Sequence, residues 1–407
     1  MATEGDYDCV VIGAGVQGSF TAYQLAKHGK RTLLLDQFVL PHSRGSSHGQ
    51  TRIIRKAYDQ DYYAVMMDEC YRLWAQIQEE ANVKLYSDSW MYVWEPSVKG
   101  FSCSQLRIDE NKSPFLPPGQ TGLLVMGPEN GINYQVVKKT LEKNGAPMVI
   151  LQPEEFSKHI PNFNLAPGDG ALVDTTAGIL YADRALRAVQ GQFQKLGGII
   201  KDGQEVTGIE PGDLVTVRTS GGVYRAKNLV VTAGCWTNSV LSYTGLQLPL
   251  QVLKINVCYW KEKVPGSYSV QHGFPCFVQA KCPEAPHHIY GLPSNEYPGL
   301  MKRDRPTDRS DVEILKRYVS RCLPGLVPEP AVVESCLYTM TPDEDFVMDC
   351  HPVHNNIVIG AGFSGHGFKF GPLIGKLLCE LSLGEVPSYD LSPFRIRRFQ
   401  EHSKSAL

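Results

Sequence analysis

The sequence predicts an α/β protein: a doubly wound, mostly parallel sheet, with a second domain in the strand-rich middle of the chain. Three observations carry this. Near the N-terminus the apolar run Cys9–Ile12 enters a Gly13-Ala14-Gly15-Val16-Gln17-Gly18 turn, then a helical run, then a second apolar strand, Arg31–Leu35, that ends in Asp36. Strand-like and helix-like periods alternate along most of the remaining chain. More than three hundred residues later, Asn356–Gly362 is again a buried strand opening into a glycine-rich turn and a helix, which folds the C-terminal region back onto the N-terminal unit.

In the first unit each residue type has a physical job. Gly13 permits a tight turn, Gly15 lets the backbone approach a pyrophosphate, and Gly18 lets the following helix pack close to the strand. That helix, expected from about Gln17 to His28, offers unpaired N–H groups and a partial positive charge to phosphates. Asp36 follows Gly15 by twenty-one residues and would accept hydrogen bonds from a ribose. The complete unit predicts an adenine dinucleotide, FAD or NAD. A glycine-rich turn in some other α/β protein is the alternative.

Next, Pro41–Arg55 alternates small, polar and basic residues, the pattern of a loop that wraps a charged ligand. Arg44, Arg52 and Arg55 could clamp phosphates or a substrate carboxylate; a solvated basic loop would read the same. Asp61–Glu80 is an amphipathic helix with Met66, Cys70, Leu73, Trp74 and Ile77 on one face. From Ser87 to Gly119 no period persists and prolines recur, which predicts a long loop or insertion. Gly122–Gly127 is a short strand, Tyr134–Asn144 and Pro153–His159 are short helices, and Ala171–Asp174 and Gly178–Tyr181 are strands. Asp183–Leu196 is a helix. Strands then follow at Gly198–Ile200, Glu205–Ile209, Leu214–Thr219, Gly222–Ala226 and Asn228–Gly234, the last ending in small residues that suit close approach of a dinucleotide. Val252–Trp260, His287–Pro293 and Val332–Thr339 are further strands, Ser310–Cys322 is a helix, and a last helix spans about Gly371–Leu383.

The composition narrows the class. The chain has 407 residues, 43% hydrophobic and 20% charged, with a formal net charge of −2. That is long enough for two intertwined domains, and nothing in the charge favours nucleic acid or an anionic membrane as partner. Eleven cysteines are scattered without a C-x-x-C pair or metal-ligand spacing, so no metal site is expected and free thiols in a reducing compartment are. No signal peptide and no bilayer-spanning run is found.

Four stretches, in this order, resemble the monomeric sarcosine oxidase family: Gly13-Ala14-Gly15, Ser46–Arg55, Cys336-Leu337-Tyr338-Thr339 and Ala361–Lys369. The likeness covers nearly the whole chain except Ser87–Gly119 and the stretch after Lys302. It implies a glutathione-reductase-like FAD-binding domain with an inserted mixed-sheet substrate domain. The boundaries expected are 1–84, 180–245 and 341–407 for the FAD domain, 85–179 and 246–340 for the substrate domain, and 87–119 for an irregular insertion. It implies a monomer.

The resemblance also implies an activity and a set of residues. The reaction is FAD-dependent oxidation of a secondary amino acid such as sarcosine, L-pipecolate or an L-proline-like compound, with dioxygen reoxidising the flavin to give hydrogen peroxide. FAD is expected to be covalent, through a thioether from Cys336, although the residue by itself reads as a small core hydrophobe. Arg55 and Lys369 are expected to clamp the substrate carboxylate. Thr51 and Arg52 are expected beside the flavin, and Gly362 and Gly365 in the second cofactor turn. His48 would shape the site's electrostatics, or be a structural histidine. Tyr338 would line the substrate pocket, or pack the core. Lys302 would lower the barrier to oxygen reduction; without the family it reads as a surface lysine.

Two departures stand out. Family members carry a histidine four residues past the oxygen-activating lysine, whereas this chain runs Lys302-Arg303-Asp304-Arg305-Pro306 and reaches its next helix sooner. Ser87–Gly119 is also additional. An altered or impaired enzyme is one consequence. An FAD dehydrogenase with another electron acceptor, or a flavin-binding protein without turnover, are alternatives to the oxidase. The C-terminal Ser405-Ala406-Leu407 resembles the peroxisomal Ser-Lys-Leu address with Ala at the usually basic position, which implies an import receptor as partner and peroxisomal localisation, with the cytoplasm as alternative.

Overall fold

The computed structural model describes residues 6–86, 121–281, 288–294 and 310–399. At its centre strand β1 (Tyr7–Ile12) runs parallel to β2 (Thr32–Leu35) on one side and to Gly222–Val231 on the other. Ile199–Lys201 extends the sheet beyond β2, and Ile357–Ala361 beyond Gly222–Val231, both in parallel. Val347–Cys350 closes that edge antiparallel. Val206–Glu210 and Val215–Thr219 form a meander on Gly222–Val231.

The central strand is apolar on both faces because both are covered. Cys9 and Val11 pack into one cluster with Phe20, Val189, Leu373 and Leu377, while Tyr7, Val10 and Ile12 pack into another with Ile209, Val217 and Leu241. Helix α1 (Val16–Lys27) crosses the C-terminal helix Gly371–Ser382 closely: a Cβ at Gly375 would lie 2.5 Å from Phe20 Cβ. The result places the carboxyl ends of β1, β2, Gly222–Val231 and Ile357–Ala361 along one edge, where each continues into a turn.

A second, five-stranded sheet has the order Ile289–Gly291, Cys276–Gln279, Leu123–Pro128, Asp169–Asp174, Met148–Leu151. Leu124, Met126 and Val173 on one of its faces pack with Phe156, Phe163 and Tyr318, and Leu123, Val125 and Leu172 on the other with Ala57, Tyr134 and Ile179. A long antiparallel ribbon, Gln251–Glu262 with Leu326–Met340, runs from this region back to the first sheet's carboxyl edge. The fold class is α/β, as the sequence predicts.

Three expectations about elements are corrected. The basic loop Pro41–Arg55 contains a strand, β3 (Thr51–Ile54), paired antiparallel with Gly178–Tyr181. Gly222–Ala226 and Asn228–Gly234 are one continuous strand, Gly222–Val231: the polar Lys227 and Asn228 interrupt the apolar pattern but not the ladder, because Asn228 pairs with Cys9 and Lys227 Nζ reaches Asp8 Oδ1 at 2.9 Å. Strands at Met148–Leu151, Cys276–Gln279 and Val347–Cys350 were not anticipated. Lys302, the expected insertion 87–119 and the C-terminal Ser-Ala-Leu lie outside the described residues. Among the described residues no helix is long and apolar enough to cross a membrane, and no group of His, Cys, Asp and Glu is arranged to hold a metal.

Candidate active site

A cavity of about 510 Å³ lies along the carboxyl edge of the first sheet. Gly13–Gln17, Asp36, Ser46–Gly49, Thr232–Gly234 and the turn after Ile357–Ala361 line it. Its floor is shaped by glycines. Gly13 has φ +100°, and a Cβ there would sit 2.4 Å from the Thr232 carbonyl oxygen; one at Gly18 would sit 2.0 Å from that of Gly13. Helix α1 opens onto the cavity from Gly15, which has no side chain to cap it, and carries no acid in its first turn, leaving a positive dipole end for an anion. Ser47 Oγ accepts the Val16 N–H at 3.0 Å.

Asp36, 8% exposed, ties the unit together. Its Oδ2 accepts the Ala14 N–H at 2.8 Å and its Oδ1 the Phe38 N–H at 2.9 Å, with His42 Nε2 at 3.3 Å. Oδ2 keeps a lone pair for a further donor, so the ribose role is compatible with this bracing. The Arg44 guanidinium lies 4.7 Å from the Phe38 ring centroid, and Phe38 packs edge-on to Trp236, which makes an aromatic wall beside Asp36. A cradle that side chains would fill, a helix start without an acid and an adjacent buried acid fit the pyrophosphate and ribose of a dinucleotide.

At the other end of the cavity the Ser46–Arg52 loop meets the long ribbon. Arg52 donates to the carbonyls of Thr51 at 2.8 Å, Ser46 at 2.8 Å and His48 at 2.6 Å and sits 5.3 Å from the Phe368 ring centroid, so its charge is fixed in place. His48 Nε2 is buried without a partner; burial, and then Arg52, push the imidazole below its ordinary range. Cys336 is 7% exposed, and its Sγ lies 3.8 Å from the Gly45 carbonyl oxygen of this loop. Burial raises the thiol's pKa, while Arg52 acts in the opposite direction. Ser46 Oγ donates to the Leu337 carbonyl, stitching loop to ribbon. Tyr338, two residues on and therefore on the same face of the strand as Cys336, shares a 2.7 Å hydrogen bond with Tyr290. Its ring occupies the space a Cβ at Gly365 would need, 2.5 Å away, and a Cβ at Gly362 would meet Thr341 Cγ2 at 2.4 Å.

Arg55 and Lys369 do not line this cavity; they meet on its flank, at Tyr58. The Arg55 guanidinium lies 4.5 Å from the Tyr58 ring centroid and Lys369 Nζ 5.6 Å from it. Arg55 Nη1 donates to the Ala57 carbonyl at 2.6 Å. Lys369 is 6% exposed; its Nζ donates to the His366 carbonyl at 3.0 Å, and its own carbonyl accepts Trp74 Nε1–H at 2.7 Å. Among the described residues no carboxylate forms a salt bridge with either cation. Burial holds the Lys369 amine well below the usual lysine range, with Arg55 and then Arg52 adding to the effect. His366 is held neutral by burial and by Lys369, and its Nδ1 is buried without a partner.

The structure thus brings Gly13, Gly15, Gly18, Asp36, Arg44, Thr51, Arg52, His48, Cys336, Tyr338, Gly362 and Gly365 to one edge, with Arg55 and Lys369 beside it. Sequence reasoning missed Tyr58, on which both cations rest, and Tyr290, which reaches Tyr338 from a short edge strand. It also missed Asp174. This carboxylate is fully buried; it accepts the N–H groups of Lys56 at 2.9 Å and Ala57 at 3.0 Å, and so fixes the turn whose Ala57 carbonyl holds Arg55. A lone Asp at a strand end carries no sequence signal for that.

Comparisons with known proteins agree with this architecture. A family model described as FAD dependent oxidoreductase matches residues 8–381. The peroxisomal sarcosine oxidase of Homo sapiens is 50% identical over an alignment 424 positions long that covers 100% of both chains. The monomeric sarcosine oxidase of Arthrobacter sp. is 30% identical, covering 98% of each chain. Among solved structures, an unusual amino acid oxidase essential for nikkomycin biosynthesis superposes with a TM-score of 0.77 at 21% identity, covering 96% of this chain and 97% of that one. The L-proline dehydrogenase of P. horikoshii superposes with a TM-score of 0.75 at 20% identity, covering 98% and 99%.

Proposed function

The chain belongs to the FAD dependent oxidoreductases, and from that membership we propose that it is an FAD-dependent oxidase of secondary amino acids such as sarcosine, L-pipecolate or L-proline-like compounds. The observation that carries the reading is that Arg55 and Lys369, two basic side chains that pair with no carboxylate among the described residues, gather at Tyr58 beside a dinucleotide cavity. Two such groups are suited to a ligand carboxylate. The names of the relatives, sarcosine oxidases of human and bacterial origin, support the same substrate class.

In this reading Gly13, Gly15 and Gly18 with the α1 N-terminus hold the pyrophosphate, Asp36 the ribose, and Arg44 the aromatic wall beside it. FAD bound there would take a hydride from a C–H bond next to the substrate amine and pass the electrons to dioxygen, giving hydrogen peroxide. Arg55 and Lys369 orient the carboxylate by charge-assisted hydrogen bonds. The Tyr338–Tyr290 pair borders the substrate, and Arg52 and His48 set the field around it. Cys336 is proposed to carry FAD as a thioether: it is buried against the loop that also bears Arg52, and burial raises its thiol's pKa while the Arg52 charge offsets part of that rise. Lys302 is proposed to assist oxygen reduction, on the family resemblance.

The strands of the first sheet fall within 1–84, 180–245 and 341–407, and those of the second within 85–179 and 246–340, which supports these as FAD and substrate domains. A monomer located in peroxisomes is proposed from the relatives' names and the C-terminal Ser-Ala-Leu. The test is purification followed by a panel of N-methyl, cyclic and primary amino acids, with hydrogen peroxide measured against reduction of an artificial acceptor. Peroxide from secondary amino acids is expected. Acceptor reduction without peroxide would instead make the chain a dehydrogenase, and absence of both a flavin-binding protein.

A further inference from the structure

The buried basic groups at Tyr58 bear on a step that carboxylate recognition leaves open: a secondary amino acid in water is a zwitterion, and its ammonium must lose a proton before the adjacent C–H can leave as hydride. Among the described residues nothing acidic pairs with Lys369. Its Nζ makes one hydrogen bond, to the His366 carbonyl, and it lies against the rings of Tyr58 and Phe370. Among the described residues the titratable and charged groups that face it are Arg55 and Arg52 from the β3 region, Tyr58 from the turn after it, Cys70 from helix Asp61–Ala81 and His366 from its own turn. Two of these are fixed cations, and the others are neutral near pH 8. A second positive charge at 6% exposure beside Arg55 is costly.

We propose that Lys369 is uncharged in the ligand-free protein and receives the proton that the substrate ammonium gives up on binding. The substrate N–H bond breaks, its electron pair stays on the amine nitrogen, and a new N–H bond forms on Nζ. No electrons change hands and net charge is conserved. The carboxylate then lies between Arg55 and an ammonium, so the same transfer activates the amine and completes the clamp. This rests on the proposed amino acid oxidase reading and deepens it.

Two measurements on the FAD-loaded protein at pH 8 test it. Surface lysines, with pKa values near about 10.4, stay charged at that pH. First, methoxyacetate, in which an ether oxygen replaces the amine, is titrated calorimetrically in two buffers of different ionisation heat. It has no proton to give, so wild-type protein is expected to take up about one proton from buffer per ligand bound, and Lys369→Arg none. Second, sarcosine is mixed anaerobically with protein in weak buffer containing a pH indicator. Wild type is expected to release no proton during the flavin-reduction phase, before product leaves, and Lys369→Arg about one per site in that phase. Flavin content and melting temperature confirm that the variant is folded. Methoxyacetate binding without proton uptake, or proton release by wild type during the flavin-reduction phase with sarcosine, overturns the proposal and leaves the oxidase reading standing. Failure of methoxyacetate to bind removes both.

Discussion

Asp174 offers a sharp test of how the cation pair is held. It lies outside the cavity and touches neither cation, yet it accepts four hydrogen bonds: Lys56 N–H and Ala57 N–H on Oδ2, Thr176 N–H and Thr176 Oγ–H on Oδ1. Asp174→Ala leaves three backbone N–H groups buried without an acceptor. At about 1 kcal/mol or more each, the loss is at least about 3 kcal/mol of stability. Asp174→Asn can keep its oxygen on Lys56 and Ala57 and turn its amide toward the Thr176 hydroxyl, orphaning one donor, for about 1–3 kcal/mol. Only the alanine variant frees the turn whose Ala57 carbonyl anchors Arg55. Loss of one charge-assisted hydrogen bond to the ligand, roughly 1.5–3 kcal/mol, is at least a tenfold weaker Kd. The assay is thermal melting together with titration of a carboxylate inhibitor followed by flavin absorbance. Melting temperature should fall in the order wild type, Asn, Ala; the inhibitor Kd should rise at least tenfold in Ala alone; flavin content should hold in both. A folded, flavin-loaded Asp174→Ala protein with unchanged affinity would refute the reasoning.

Arg55→Ala should weaken the same inhibitor at least tenfold while leaving flavin content intact, because Arg55 is off the cavity wall; equal affinity would remove it from the clamp. Cys336→Ser should give protein whose yellow colour is lost to the supernatant on acid precipitation, whereas wild type keeps it in the pellet, and a colourless wild-type pellet would count against the thioether. Stability should fall as pH drops below about 6.5, because His366 is held neutral in the fold while the unfolded chain protonates there, with a slope of up to about 1.4 kcal/mol per pH unit from this residue. His366→Phe should flatten that slope in melts between pH 5 and 7.5; parallel curves for the two proteins would exclude His366 as a contributor.

The N-terminal unit was legible because its physics is local. The turn, helix and acid occur within thirty residues, and each residue type is forced by a contact inside that window, such as the Ala14 N–H to Asp36 bond. What escaped depends on partners far along the chain. Thr51–Ile54 alternates too weakly to read as a strand, and it is one because Gly178–Tyr181 pairs with it more than 120 residues later. Val347–Cys350 gains its ladder from Ile357–Ala361 at the sheet edge. Asp174 and Tyr290 become site residues through hydrogen bonds to Ala57 and Tyr338, separated in sequence by 117 and 48 positions.

The strand in the basic loop also decides between two roles that sequence left open for its arginines. As a loop, Arg52 and Arg55 are interchangeable clamps for phosphate or carboxylate. As a strand with a side-chain period of two, positions three apart face opposite sides. Arg52 accordingly borders the dinucleotide cavity against Phe368, while Arg55, just past the end of β3, turns to Tyr58 and Lys369. One short strand therefore sends one arginine to the cavity wall and the other to the proposed carboxylate site. Shifting its register by a single residue would exchange the two faces. The buried Asp174 contacts with Lys56 and Ala57, immediately after Arg55, pin the register at the point where that exchange would do most damage.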